Sequence, residues 1–236
     1  DTPMRLGQIT CAFLLLTLPL TTFAGNLSGT ISAFEIDGKT PLNSFANSLI
    51  YLTGITTPAP STPAIHVQKN KQFFPRVLPI VKGQSVEFWN RDKVQHNVFS
   101  TDKPTQFDLD RYPKDDKRTV TFADLGAQDI YCNIHKKMLG NIHILPNHFF
   151  YVTKNDGKYL IDGIPNGQYT LHTTHIFGGQ SQQRVTITDQ AQTVNLSLIS
   201  NKVVLDLESH KNKHGQQYQS ANDDNSISED DYYDDF

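Results

Sequence analysis

The feature that most restricts this chain is that its apolar residues come in short alternating runs, each stopped by a turn signal. Beyond residue 24 the runs fall at 27–34, 48–52, 76–83, 85–90, 96–100, 118–126, 128–132, 140–146, 149–152, 159–161, 169–172, 184–187 and 193–198. Asp37-Gly38, Asn155-Asp156-Gly157, Pro165-Asn166-Gly167 and Gly178-Gly179 stand between them as turns. No long window keeps the apolar spacing of an amphipathic helix. Alternation puts every second side chain on one face of a strand, and many short strands close only as sandwiches or Greek-key barrels. The chain reads as all-β.

Composition then divides it. Residues 54–64, GITTPAPSTPA, form a Pro/Thr/Ser linker with little helix or strand potential. With the Pro146-Asn147 junction they bracket a unit of β pattern at 65–146. Residues 101–117 are rich in Asp, Lys and Pro and read as a polar surface loop. Residues 207–236 are Asn/Gln/Asp/Ser-rich and are expected to be an acidic disordered tail. The net charge of −3 hides this split: residues 25–220 hold 20 Lys/Arg against 16 Asp/Glu, whereas 221–236 hold seven acidic groups and no basic one. The body is mildly basic, yet no Lys/Arg block is dense enough to suggest a nucleic-acid partner.

Residues 1–24 are expected to be a signal peptide. Met4-Arg5 supplies positive charge, 9–20 is an apolar run short for a bilayer, and Thr22 and Ala24 are small residues before a cleavage point. The expectation is a periplasmic protein with no membrane span after cleavage. Cys11 would leave with the peptide, and Cys132 would then be an unpaired thiol in an oxidising compartment, where cysteines are normally bridged.

The stretch 131-YCNIHKKMLG-140 offers a reason for that thiol. Thiolate, imidazole and thioether are soft-to-borderline ligands, and a Cys with two His and a distant Met suits copper cycling between two oxidation states. Cys132, His135 and Met138 come from one short loop, so a second histidine must come from elsewhere. His96, opening 96-HNVFS-100 just after 89-WNRD-92, is the candidate. Zinc is the alternative metal for such ligands. Taken singly, a lone Cys at a strand end or a Met near a His is ordinary core packing. His143 reads as a sheet residue. His172 and His175, three apart on a strand, face opposite sides and chelate poorly. His66 and His148 flank the two junctions and could approach each other. His210 and His214 fall in the solvated tail. Asp108, Asp110, Asp115 and Asp116 lie in the polar loop without calcium spacing. With no phosphate loop, nucleophile elbow or HExxH, an enzyme is not expected.

Residues 73-FFPRVLPIVKGQSVEFWNRDKVQHNVFS-100 and 120-VTFADLGAQDIYCNIHKKM-138 resemble the cupredoxins, the small blue-copper proteins such as plastocyanin, pseudoazurin and amicyanin. Phe74-Pro75, the Val-Lys-Gly turn, Asn90, His96-Asn97 and the C-x-x-H-x-x-M spacing occur in family order, the spacing being that of amicyanin. The resemblance implies a Greek-key sandwich or barrel over 65–146 and one type 1 copper. It implies equatorial ligands His96, Cys132 and His135, axial Met138, and Asn97 bonding the ligand loop from behind. Amicyanin-like loops place Pro and Phe where this chain has Lys136 and Lys137, so a basic rim is expected in place of an apolar docking patch. The chain also resembles exported proteins of the methylamine-utilisation type.

A second resemblance covers the flanks. Residues 153-TKNDGKYLIDGIPNGQYTLHTTHIFGG-179 are similar to the latter half of carboxypeptidase-regulatory-like (transthyretin-like or Ig-like) sandwiches, and 29-GTISAFEIDGKTPLNSFANSLIYLTG-54 to the first half. The expectation is a cupredoxin inserted into a sandwich made of 25–57 and 147–200. Such an insertion requires 27–34 or 48–53 to pair with 159–172 or 193–198. The expected function is one-electron transfer to an acidic redox partner met by Lys136 and Lys137, with Arg91 and Lys93 nearby. Copper delivery or storage, and a structural binding module, are the alternatives.

Overall fold

The computed structural model describes residues 24–42, 44–201 and 210–218. Residues 1–23 of the expected signal peptide, and residues 207–209 and 219–236 of the expected tail, lie outside them. No helix occurs among the described residues, and the protein is all-β.

The chain starts with β1 (Ala24–Phe34) and β2 (Ser48–Thr53). It then runs through β3 (Ala64–Lys69), β4 (Gln72–Phe74), β5 (Val77–Val81), β6 (Ser85–Asn90), β7 (Phe99–Ser100), β8 (Phe107–Asp108), β9 (Lys117–Thr121), β10 (Gly126–Tyr131) and β11 (Leu139–Leu145). Last come β12 (Phe150–Val152), β13 (Lys158–Pro165), β14 (Gly167–His175), β15 (Gln180–Ile187), β16 (Gln192–Thr193) and β17 (Leu196–Ile199).

Pairing joins the first described strands to the last. β1 lies antiparallel to β13, with Leu27 opposite Ile161, and parallel to β17, with Ile31 opposite Leu196. β2 lies between β12 and β14, and β15 follows β14. Burial on β14 alternates along its whole length, with Tyr169, Leu171, Thr173 and His175 inward. Leu27, Ile31, Ile50, Leu52, Ile161, Leu171, Ile187 and Leu198 thus share one core between these two sheets. At Gly179 the chain takes φ +79, and a Cβ there would sit 2.1 Å from the Ile199 carbonyl oxygen, so no other residue fits.

The middle stretch builds two sheets of its own, β4-β3-β6-β9 and β5-β11-β10-β7-β8. β6 alternates cleanly, burying Val86, Phe88 and Asn90. Phe73, Phe88, Val98, Phe122, Ile130 and Ile142 fill the space between the sheets, with Cys132 and Met138 in the same cluster. The crossings at 54–57 and 146–148 run side by side. Asn147 donates to the carbonyls of Leu52 and Ile55, both at 2.9 Å, and the Thr57 N–H donates to Pro146 at 3.0 Å. Leu49, Val77 and Leu145 form a small shared apolar cluster beside them.

Two expectations need correction. The 96–100 run is a strand only at Phe99–Ser100; His96 instead makes an isolated bridge with Tyr112. The reason lies in the second correction. Residues 101–117 are not merely a surface loop, because they carry β8 and a fully buried Tyr112 whose backbone exchanges hydrogen bonds with His96.

Candidate metal centre

The β10–β11 hairpin presents the loop 132–138. Tyr131 pairs with Leu139 as the last rung, and the loop closes on itself through Cys132 N–H to Met138 O (3.1 Å) and Met138 N–H to His135 O (3.0 Å). His96 reaches this loop because β7 pairs with β10 at Phe99–Tyr131, which sets the preceding residues across the hairpin's end. Asn90 holds the intervening turn by donating to the carbonyls of Val94 and Tyr112.

Three donor atoms converge. His96 Nδ1 is 3.0 Å from His135 Nδ1, Cys132 Sγ is 3.8 Å from the former and 3.5 Å from the latter. Among the described residues this is the group of His, Cys and carboxylate side chains whose ligand atoms all lie close enough to hold one metal ion. A triangle with those sides has a centre about 2 Å from each atom, close to first-row metal–nitrogen and metal–thiolate lengths (about 2.0–2.1 and 2.3 Å for zinc). The donors therefore fit a metal. Cys132 and His96 are fully buried and His135 is half-buried.

The tautomer of His96 is set from outside. Its Nε2 lies 2.9 Å from Asp92 Oδ2, and a carboxylate only accepts, so Nε2 carries the proton and Nδ1 faces the centre with a free lone pair. Burial raises the Asp92 pKa, but the Lys71 N–H, His96 and the Lys93 N–H together hold it below the ordinary carboxylate value. Burial lowers His96 despite Asp92, which keeps the ring neutral as ligation requires. Burial also pushes the Cys132 thiol up, so without a metal the sulfur holds its proton.

Asn97, 1% exposed, sits behind the loop. Its Oδ1 accepts the Asn133 N–H at 2.7 Å and faces the Cys132 Sγ–H at 3.6 Å, while its Nδ2 donates to Asp108 Oδ1 at 3.3 Å. Met138 is fully buried in the same cluster as Cys132. Lys136 and Lys137 are half-buried. Arg91 pairs with Asp115 at 2.7 Å and stacks on Trp89.

The remaining histidines go elsewhere. His66 turns to the Pro75 carbonyl and His148 to Thr57 Oγ1, so the two do not form a pair. His172 meets Thr53, and His175 meets the Ala46 carbonyl. His210 lies against the ligand loop, its Nε2 donating to Lys136 O. Residues 210–218 are thus packed where composition suggested disorder, because the carbonyls of Cys132 and Lys136 and the side-chain oxygen of Asn133 accept their hydrogen bonds. Sequence reasoning missed Asp92, whose position four residues before His96 was the available signal. It missed Tyr112 too, the aromatic residue in an otherwise polar stretch.

No family model and no curated protein matches the chain. Solved structures with similarity include a purple cupredoxin from Nitrosopumilus maritimus, 23% identical over 35% of this chain and 99% of that one, at a TM-score of 0.33. The Cu-containing nitrite reductase NirK from Thermus scotoductus SA-01 is 25% identical over 39% of this chain and 24% of its own, at 0.35. An oxidized mutant of amicyanin is 16% identical over 41% of this chain and 98% of its own, at 0.34.

Proposed function

We propose that this chain is a cupredoxin-like electron carrier, exported to the periplasm, that holds one copper ion between His96, Cys132 and His135 with Met138 as a weak fourth ligand. The observation that carries the reading is the convergence of two imidazole nitrogens and one buried thiol on a single metal-sized centre. Bound copper would supply a one-electron couple. The chain's part is to keep the donors in one arrangement for both oxidation states. Asp92 orients His96, Asn97 holds the loop at Asn133, and the hairpin's own bonds hold Cys132 against Met138. Little rearrangement then accompanies a change of charge. Half-buried His135 is the ligand nearest solvent and the natural point of electron exit. Ligation also accounts for Cys132 being a free thiol among the described residues.

On this reading the protein passes electrons and catalyses no reaction of its own, and the flanking sandwich, a carboxypeptidase-regulatory-like module, braces the copper unit. The partner is an acidic redox protein drawn by Lys136 and Lys137, so reduction rates should fall as salt rises. Rates insensitive to salt would remove the acidic partner. A second reading, copper delivery or storage, draws support from the half-burial of both lysines, which leaves less basic surface for docking.

The deciding experiment is to add Cu(II) to the purified apoprotein and record its visible spectrum. An intense thiolate-to-copper charge-transfer band should form and be lost in Cys132→Ser. A colourless native protein would end the proposal. Fast reversible electron exchange favours the carrier; ready loss of Cu(I) to a chelator favours delivery.

A further inference from the structure

Residues 210–218 fold into a tight turn of their own. Asn212 Oδ1 accepts the N–H groups of His214 (2.9 Å) and Gln216 (3.0 Å), and the Asn212 N–H donates to Gln216 O at 2.9 Å. One side of the turn faces inward: His210, Asn212, Lys213 and Tyr218 are half-buried, and the rest are exposed.

That side grips the ligand loop at three points. The Tyr218 hydroxyl donates to the Cys132 carbonyl at 2.8 Å, the Lys213 N–H donates to Asn133 Oδ1 at 3.0 Å, and His210 bonds Lys136 O while its ring stacks on Tyr131 with centroids 4.2 Å apart. A fourth link closes a circuit. Lys213 Nζ lies 2.5 Å from Asp108 Oδ2, the other oxygen of that carboxylate accepts from Asn97, Asn97 accepts from the Asn133 N–H, and Asn133 accepts from Lys213. Asp108 can only accept, so it obliges Asn97 to aim its oxygen at the loop. Lys213 in turn balances the carboxylate that does this.

We infer that residues 210–218 are a clasp on the ligand loop, with Lys213 and Tyr218 as positioning residues, and that metal enters and leaves the His96–Cys132–His135 centre only when the clasp lifts. The inference rests on the reading of that centre as a metal site. Its physical basis is that Cys132 and His96 are fully buried, so exchange needs the loop to open. The loop's backbone is held from inside by Asn97 and from outside by the clasp.

The test uses the full chain and two variants, Lys213→Ala and Tyr218→Phe, neither of which alters a ligand. Amide hydrogen exchange in the metal-free protein is read first. The Cys132, Asn133 and Met138 amides should exchange about tenfold faster in each variant, because Tyr218→Phe removes the bond to the Cys132 carbonyl and Lys213→Ala removes the Nζ bond that balances Asp108, while the Lys213 N–H is kept. Amides of β3 and β6 should be unchanged, which shows that the fold is intact. Loop amides that exchange alike in all three proteins would overturn the clasp. Transfer of Cu(I) from the loaded proteins to bicinchoninate is read second, and it should quicken by a similar factor. Faster loop exchange with unchanged transfer would overturn control of the metal by the clasp. A protein that gave the exchange difference but no charge-transfer band with Cu(II) would keep the clasp and discard the copper reading.

Discussion

Asp92 shows how a single group outside the ligand set controls the site. Its carboxylate decides which nitrogen of His96 is protonated, and therefore which one faces Cys132 and His135. Asp92→Asn can present an N–H to that ring and lose the bias toward the productive tautomer. Metal affinity should fall about 10–100-fold, the usual cost of removing such a support, in a competition titration against a chromogenic chelator. Unchanged affinity would show that the rest of the fold alone orients His96. His66 and His175 show the opposite use of an imidazole. His66 donates through Nε2 to Pro75 O, leaving a buried Nδ1 without a partner. His175 donates to Ala46 O and accepts the Phe177 N–H, so both nitrogens are committed. Burial holds each ring down to about 4 from an ordinary 6.5.

At the level of strands and loops, the seven residues 132–138 work as one unit because the hairpin and Asn97 fix their backbone. A comparable device stands at the two crossings. Asn147 joins Leu52 and Ile55 through one amide and caps the Phe149 N–H with its oxygen. Asn147→Ala leaves those buried groups unmatched and should cost about 1–3 kcal/mol of stability, measurable as a lower urea midpoint. A midpoint equal to the parent's would show that water replaces the amide. In β6 the inward Phe88 is fully buried between the two inner sheets. Phe88→Ala should cost about 3–5 kcal/mol by the same measurement, whereas a loss under a kcal/mol would mean that the core collapses around the gap.

For the molecule as a whole, His66 and His175, together with His143 on β11, which burial also lowers to about 4, link stability to pH. Each has a folded value near 4 and an unfolded value near 6.5, so between them the unfolded chain binds the extra proton. Stability is therefore whole above about pH 6.5 and is lost as pH falls toward 4, by roughly 3 kcal/mol per ring at the lower limit. His66 and His143 lie in the middle unit and His175 in the flanking sandwich, so both should weaken together. Urea midpoints measured from pH 7 to 4.5 should fall steadily, and less steeply in His175→Gln; a flat profile would contradict the burial of these rings in neutral form.

Much was written in one dimension. Alternating runs determined the all-β class, since period-two burial is a local property of the strand. The spacing of Cys132, His135 and Met138 determined that three donors share one hairpin loop, because seven residues cannot separate them. His96 could be nominated but not placed, for its distance from the loop depends on Tyr112, β7 and the pairing of Phe99 with Tyr131. Only the tertiary structure decided that Asp92 selects the His96 tautomer, and it set the register, Leu27 opposite Ile161, of the β1–β13 pairing that the resemblance of the flanks implies. It alone brought 210–218 onto the loop, since a short polar segment has no apolar period to announce its contacts. The reason is common to all three: a hydrogen bond, whether between near or distant groups, leaves no periodic trace in sequence, whereas burial on a strand does.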